Sequence, residues 1–177
     1  DIVKSGKALY VGVSNYDGEN LKKACKILTE LKCPFIINQN RYSIFDRTIE
    51  NNGLKQTALE LKKGIIAFSP LAQGLLTNRY LNGIPSDSRA AKDSRFLKQS
   101  AITDEKIAKI KALSKIAEQR GQTLAETALA WVLKDGAVTS VLIGASKPSQ
   151  ILDNIKAIQN TSFSVEELEA IDKISLD

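Results

Sequence analysis

Residues 138–158 read VTSVLIGASKPSQILDNIKAI, and this stretch decides the fold. Residues 138–143 are apolar and β-branched, as in a buried strand, whereas 148–158 carry apolar residues at helical spacing. Residues 144–146 join the two segments through a short Gly-Ala-Ser junction. A strand that passes through such a junction into a helix is a βα unit, from which parallel sheets are built.

The same alternation occurs three more times upstream, and it predicts a parallel sheet covered by helices. The predicted strands are 8–13, 35–38 and 65–68, followed by 138–143. The predicted helices are 21–31, 54–63, 104–119, 124–134, 148–158 and 165–174. We expect the four strands to be adjacent in chain order, within a single domain that spans 1–177. Residues 69–102 have no clear periodicity, and a loop of that length is usually either a cover over a functional site or disordered.

Several single residues carry expectations about the helices. Thr123 with Glu126, and Ser164 with Glu167, have the spacing of capping boxes. Gly64 is predicted to end the helix at 54–63 as its C′ residue. In the first helix, Leu31 is predicted to lie on the buried face with Leu21, Ala24, Cys25 and Leu28. Trp131 is predicted to pack in the core, in preference to stacking on a substrate.

Composition excludes several classes of function. The 25 Lys and Arg exceed the 20 Asp and Glu by five, but they form no dense basic run, so a nucleic-acid partner is not expected. No apolar segment reaches the roughly 18 residues that cross a bilayer, so we expect no membrane partner. A cytoplasmic location is expected for the same reason. Cys25 and Cys33 have no CxxC spacing and the chain has no histidine, so no metal site is predicted.

The chain also contains no methionine. We therefore expect Asp1 to be an internal residue of a longer product, or the start of a processed one.

Polar residues follow each predicted strand. The pairs are Ser14-Asn15, Asn38-Gln39 and Ser69-Pro70, and the fourth strand leads into residues 144–146. Because ligands of parallel sheets bind beyond the carboxyl ends of the strands, these positions are the predicted site. Hydroxyl and carboxamide groups offer the paired donors and acceptors that suit a neutral amide. The alternative is that Ser and Asn only cap the adjoining helices.

The fourth junction, GASKPSQ, has the character of an anion site. It places backbone N–H groups, a serine hydroxyl and Lys147 at a helix N-terminus. Gln150 and Asn154 are four residues apart and so share one helix face beside that terminus. Arg79 and Arg89, in the long loop, supply mobile positive charge that can close over the same anion, with solvated surface arginines as the alternative.

Four stretches resemble successive C-terminal signatures of the aldo-keto reductase family. They are GKALYVGVSN at 6–15, INQNRYSIF at 37–45, IIAFSPLAQGLL at 65–76 and VLIGASKPSQILDNIKAI at 141–158. The detail of 67–89 is most similar to the branch with bacterial glyceraldehyde 3-phosphate reductase-like enzymes and voltage-gated potassium channel β subunits. The resemblance implies a (β/α)8 barrel of the TIM type. This chain would supply about the last four βα units and a C-terminal helix.

The resemblance also implies an NADP(H) site. Residues at the ends of the first two strands would hold the nicotinamide amide, and an aromatic residue would stack on its ring. The next group would wrap the pyrophosphate, two loop arginines would close over the cofactor, and the last group would hold the adenosine and its 2′-phosphate. The residues implied for the nicotinamide amide are Ser14, Asn15 and Gln39, and the aromatic residue is Phe68. Those implied for the pyrophosphate are Ser69, Pro70, Leu71, Ala72, Gln73 and Gly74, and the two loop arginines are Arg79 and Arg89. Those implied for the adenosine and its 2′-phosphate are Gly144, Ser146, Gln150, Asp153 and Asn154.

For the whole protein, the resemblance implies NADPH-dependent reduction of aldehydes or ketones. The family's catalytic Asp, Tyr, Lys and His lie upstream of the segments matched here, so no catalytic residue is predicted in this chain. Tyr42 and Lys147 are not placed to replace them. We therefore expect this chain alone to be inactive, and its partners to be a small carbonyl substrate and the N-terminal half of the barrel. A homo-oligomer is left open.

Two other functions also remain open. The first is an NADP(H)-binding regulatory module with little turnover, like the channel β subunits. The second is a free-standing four-stranded α/β domain of the flavodoxin type with no enzymatic role.

Overall fold

The sheet has four parallel strands in the order β1-β2-β3-β4. In the computed structural model the described residues are 1–86, 88–92, 95 and 97–176, with the backbone alone described at Arg89. The strands are β1 (Val11–Ser14), β2 (Phe35–Arg41), β3 (Gly64–Phe68) and β4 (Ser140–Val141). The predicted parallel sheet is confirmed. β2 is longer than predicted because it pairs on both sides, whereas β4 is reduced to the two residues that pair with β3.

Helices connect the strands and cover one face of the sheet. They are α1 (Gly18–Glu30), α2 (Thr48–Asn51), α3 (Leu54–Glu60), α4 (Arg89–Lys92), α5 (Asp104–Gln119), α6 (Leu124–Leu133), α7 (Pro148–Ile155) and α8 (Val165–Leu176). Short 3-10 turns lie at Ala72–Gly74, Asn78–Tyr80, Gln99–Ala101 and Lys156–Gln159. The segment 69–102 is therefore a series of short turns and one short helix in its described part.

Both predicted capping boxes are confirmed. The Glu126 amide donates to the Thr123 hydroxyl over 3.2 Å, and the Thr123 amide donates to the Glu126 carboxylate over 3.1 Å. Ser164 and Glu167 make the same reciprocal pair, at 3.2 and 2.8 Å, before α8. These bonds satisfy amides that the first turn of a helix leaves without intrahelical partners.

The prediction for Gly64 is wrong. Helix α3 ends at Glu60, and Lys62 takes the left-handed conformation with a φ of 54°. Gly64 is instead the first residue of β3, where an added Cβ would lie 3.0 Å from the Thr139 hydroxyl and 3.2 Å from Ile37. The glycine is thus explained by close packing on the sheet, and the helix ends with a lysine in a conformation that usually favours glycine.

The hydrophobic core lies between the sheet and its helices. Leu21, Leu54, Ile65 and Ala67 are fully buried there, and Trp131 is buried as predicted. Leu31 is 61% exposed, so its predicted place on the buried face of the first helix is wrong. Helix α1 ends at Glu30, which leaves Leu31 as the capping residue beyond the packed face.

The other face of the sheet is less covered by the described residues. Along β1, Val11 and Val13 pack against the core while Gly12 and Ser14 are exposed. Leu142, directly after β4, is also exposed. Because side chains alternate between the two faces of a strand, helices shield one face of this sheet and leave much of the other accessible.

Candidate functional site

A cavity of about 1070 Å³ opens beyond the carboxyl ends of β3 and β4. Its walls are the turns that follow β3, the junction between β4 and α7, and the N-terminus of α6. Among the residues named from the sequence, those lining it are Ser69, Pro70, Leu71, Gln73, Gly74, Arg79, Gly144, Ser146, Gln150, Asp153 and Asn154. Its position is the one where ligands of parallel α/β proteins bind.

The wall after β3 is made of strained backbone. Ser69, Ala72 and Gln73 have φ values of 54°, 47° and 62°, a region that non-glycine residues rarely occupy. The Gln73 carboxamide donates to the Ser69 hydroxyl over 2.7 Å, which ties the two ends of this turn together. Leu76, three residues after Gln73, is fully buried. Such strain costs on the order of 1 to 3 kcal/mol per residue and persists where surrounding contacts fix the conformation, often at ligand sites.

Arg79 lies on a turn that is anchored on both sides. Leu76 before it and Tyr80 after it are buried. The Arg79 amide donates to the Thr77 hydroxyl over 3.2 Å, and that hydroxyl is 2.7 Å from the Gly74 carbonyl. The backbone that carries Arg79 is therefore held by hydrogen bonds and packing, and the closing of its side chain over an anion stays a prediction. The side chain of Arg89, the second predicted arginine, lies outside the described residues.

The sequence predicted an open anion site at the N-terminus of α7, but the structure shows that a side chain of the same helix occupies its donors. The Gln150 carboxamide oxygen accepts from the Ser146 amide at 2.7 Å, the Ser146 hydroxyl at 3.3 Å and the Lys147 amide at 3.3 Å. The side chain of Gln150 thus caps its own helix, and an anion that uses these donors has to displace it. On the next turn, Asp153 accepts from the Lys156 ammonium over 2.8 Å.

The residues predicted at the nicotinamide end form a separate group along the sheet. Ser14 pairs with Gln39 in the β1–β2 register, and the Ser14 hydroxyl donates to the Gln39 carbonyl over 3.1 Å. The Asn15 amide donates to the same carbonyl over 2.9 Å. Phe68 ends β3, opposite Arg41. These residues, together with Ala72, are not among those that line the cavity, but they occupy the same carboxyl edge of the sheet.

Several cavity residues were missed by the sequence reasoning. They are Thr77, Asn78, Tyr80, Ser88, Lys92, Thr123, Leu124, Ala125, Glu126, Leu142, Ile143 and Lys156. The sequence did contain a signal for the residues at the N-terminus of α6, because the capping box at Thr123 marked the start of that helix. Its role as a cavity wall follows only from how α6 packs beside α7.

Comparison with known proteins identifies the family. The model of the Aldo/keto reductase family matches residues 1–176. The chain belongs to this family. The resemblance noted from the sequence is thereby confirmed, and the four parallel strands are those of half of a (β/α)8 barrel.

Two relatives in this family have the same description. The chain is 46% identical over 174 residues to L-glyceraldehyde 3-phosphate reductase of Escherichia coli O157:H7, and equally so to that of Escherichia coli strain K12. Each match covers 97% of this chain and 50% of the relative. The chain therefore spans about half the length of these relatives, and the match lies in their C-terminal half.

No helix in the described ranges is long and apolar enough to cross a membrane. No group of three or more His, Cys, Asp or Glu in the same part of the chain has an arrangement that could hold a metal ion.

Tyr42 has no access to the cavity of this aldo-keto reductase chain. Its side chain is fully buried, and its hydroxyl lies between the Glu50 carboxylate, to which it donates, and the Lys134 ammonium at 3.1 Å. Burial and the hydrogen bond to Glu50 raise the pKa of Tyr42 far above its ordinary value. A tyrosine held in this way cannot protonate a ligand bound beyond the strands.

Lys134 belongs to the same buried cluster. Its ammonium is 3.5 Å from the centre of the Trp131 ring, with Arg47 4.4 Å from that ring. Burial, followed by repulsion from Lys55, lowers the pKa of Lys134 to about 8, while Asp135 and Glu50 act in the opposite direction. The folded protein therefore releases this proton at a pH where the unfolded chain still holds it.

We predict that the free energy of unfolding rises between pH 8 and pH 10, because in that range the unfolded state binds more protons at Lys134 than the folded state. Replacing Lys134 with Met should remove most of this rise, whereas Lys115→Met, at an exposed position of α5, should leave it unchanged. Urea unfolding followed by the fluorescence of Trp131 measures both. An equal rise in the Lys134→Met variant would show that other groups cause it.

Proposed function

We propose that this chain is the NADP(H)-binding half of an enzyme that reduces aldehydes or ketones to alcohols. The observation that carries the proposal is the cavity at the carboxyl ends of β3 and β4, in a chain of the Aldo/keto reductase family. Its walls combine a cation with hydroxyl groups, which suit a phosphate-bearing ligand, and the α7 amides become available to that ligand when it displaces Gln150. A volume of about 1070 Å³ is large enough for the adenosine and pyrophosphate parts of a dinucleotide.

The proposed cofactor lies along the carboxyl edge of the sheet. Ser14, Asn15 and Gln39 hold the nicotinamide amide at the ends of β1 and β2, and Phe68 packs against the ring. The strained turn that begins at Ser69 surrounds the pyrophosphate. This order follows the strand order of the sheet, so an extended dinucleotide passes from one group to the next without crossing a strand.

The adenosine end is assigned to α7. Asp153 and Asn154 face the adenosine, while Ser146 and Gln150 receive the 2′-phosphate. The Gln150 carboxamide gives up its capping bonds when the phosphate binds, and its NH₂ group can then donate to a phosphate oxygen. Lys156 lines the same wall and adds positive charge beside Asp153.

When bound, the nicotinamide supplies a hydride to the carbonyl carbon. The residues of this chain contribute by binding and orienting the cofactor, since holding the reactive ring face toward the substrate lowers the entropic part of the barrier. We assign the proton for the carbonyl oxygen to a residue outside this chain. The chain has no histidine, and Tyr42 is buried between Glu50 and Lys134.

The missing proton donor is assigned to an N-terminal barrel half. Apolar side chains are exposed on the first and last βα units, at Ile27 and Leu31 of the α1 unit and at Leu152 and Ile155 on α7. These are the units that a second half contacts when an eight-stranded barrel closes. The uncovered face of the sheet is consistent with the same partner. We further propose a cytoplasmic enzyme, and leave a homo-oligomer as an additional assembly.

The substrate class is a small carbonyl compound. Because the two relatives are described as reductases of L-glyceraldehyde 3-phosphate, a short phosphorylated aldehyde is the first compound to assay. Short aldehydes without phosphate provide the comparison that separates recognition of the carbonyl group from recognition of the phosphate.

We predict that the 177-residue chain alone does not oxidise NADPH in the presence of a short aldehyde, whereas the full-length protein does. The reason is that the proposal places the proton donor in the N-terminal half of the barrel. Absorbance at the NADPH band with each purified protein measures the rate. Aldehyde-dependent NADPH consumption by the rigorously purified chain would contradict the assignment of the donor to the other half.

A second prediction concerns the choice of cofactor. Replacing Arg89 with Ala should weaken NADPH binding roughly 10- to 100-fold, because a charge-assisted contact to the 2′-phosphate is typically worth about 1.5 to 3 kcal/mol. NADH binding should change little, since NADH lacks that phosphate. Titration of both cofactors by nicotinamide fluorescence at one ionic strength makes the comparison. If both dissociation constants rise by the same factor, Arg89 does not contact the 2′-phosphate.

A further inference from the structure

Ser114 lies on α5, behind the turn that carries Arg79. Its side chain is not among those that line the cavity, and the residue is only 9% exposed. The Ser114 hydroxyl oxygen is 3.2 Å from the Asn78 carboxamide oxygen and 3.0 Å from the Ile110 carbonyl. Because a hydroxyl has one proton, it donates to one of these acceptors at a time. The bond to Asn78 joins the turn to a long helix.

Asn78 and Arg79 are consecutive in the same 3-10 turn, and both line the cavity. The side chains of Leu76 and Tyr80, on either side of these residues, are buried and hold the turn against the core. Apolar packing has little directional preference, so it fixes the rotation of the turn less well than a hydrogen bond does. Within the turn, the Thr77 hydroxyl bonds to the Arg79 amide and the Gly74 carbonyl, and the contact between Asn78 and Ser114 adds a directional bond from a helix outside the cavity.

We propose that Ser114 is a positioning residue for Arg79 and, through Asn78, sets the direction in which the Arg79 guanidinium meets an anionic ligand. This inference rests on the proposed function, since the anion is taken to be the pyrophosphate of a dinucleotide. Binding groups have to be held within about 0.5 Å of their productive position, so a small rotation of the turn reduces the contact. Ser114 itself touches no ligand.

A purely structural role for Ser114 is the competing explanation. Serine in a helix commonly bonds to the carbonyl four residues earlier, as Ser114 does with Ile110. In that case, loss of the hydroxyl changes stability and leaves the contribution of Arg79 to binding unaltered. The two explanations therefore differ in whether Ser114 and Arg79 are energetically coupled.

A double-mutant cycle in the full-length protein tests the coupling. The proteins are the parent, Ser114→Ala, Arg79→Ala and the double variant, each titrated with NADPH by nicotinamide fluorescence. We expect Arg79→Ala to raise the dissociation constant roughly 10- to 100-fold and Ser114→Ala roughly 3- to 10-fold. In the Arg79→Ala background, Ser114→Ala should then change it less than about 2-fold, since residues that act as a unit are not additive.

Two controls separate positioning from stability. Ser114→Thr keeps the hydroxyl and should bind NADPH as the parent does. Thr57→Val removes a buried hydroxyl from α3, away from the cavity lining, and should leave NADPH binding unchanged. The thermal midpoint of every variant is measured alongside, so that a loss of binding through unfolding is recognised.

The outcomes are distinct. A full Ser114→Ala effect in the Arg79→Ala background, or parent-like binding by Ser114→Ala, would overturn the positioning role while leaving the proposed function intact. Parent-like binding by Arg79→Ala would instead remove Arg79 from the site, and both the pyrophosphate assignment and the role of Ser114 would fail.

Discussion

The parallel pairing of β2 with β3 is the constraint on which the rest of this structure depends. Five residue pairs, from Ile37–Gly64 to Arg41–Phe68, fix the two central strands in one direction. Parallel strands need a crossover connection, so helices have to cover the sheet, and every strand ends at the same edge. The cavity forms at that edge because the segments that follow β3 and β4 both begin there and line it. Close approach at Gly64 and Gly12 allows Ile37 to pack between them.

Much of this arrangement could be predicted because it has a periodic signal. The alternation of apolar strands and amphipathic helices gave the strand order, and α5 was predicted with its observed ends because Thr103 caps it and Gly121 follows it in a left-handed conformation. Polar residues after β3 and β4 located the edge that carries the cavity, whereas Asn38 and Gln39, predicted at the end of the second strand, lie within β2. The α6 wall was missed, because its place depends on packing between helices that are distant in the chain.

Other features had no local signal. Gly64 was assigned to a helix end because glycine is common there, but tertiary packing on the sheet explains it, and Lys62 takes the left-handed position. At α7 the sequence indicated free donors, yet Gln150 folds back onto Ser146 and Lys147. A glutamine at the third position of a helix is itself a capping signal. The prediction did not allow for Gln150 accepting the hydrogen bonds that were assigned to an anion. The strained turn between Ser69 and Gln73 could not be foreseen from residue preferences, which disfavour it.

If the cavity beyond β3 and β4 holds NADP(H), a side chain that fills the cavity should prevent the cofactor from binding. An added side chain at Gly144 meets no atom within 4 Å of its Cβ, so Gly144→Trp can occupy the cavity without strain in the strands. NADPH titration of the full-length protein should show saturable binding in the parent and in Leu59→Trp, an exposed change on α3. We expect Gly144→Trp to lose about 100-fold or more in NADPH affinity at an unchanged thermal midpoint, which corresponds to about 2.7 kcal/mol. Parent-like NADPH binding by a folded Gly144→Trp variant would contradict this placement of the cofactor.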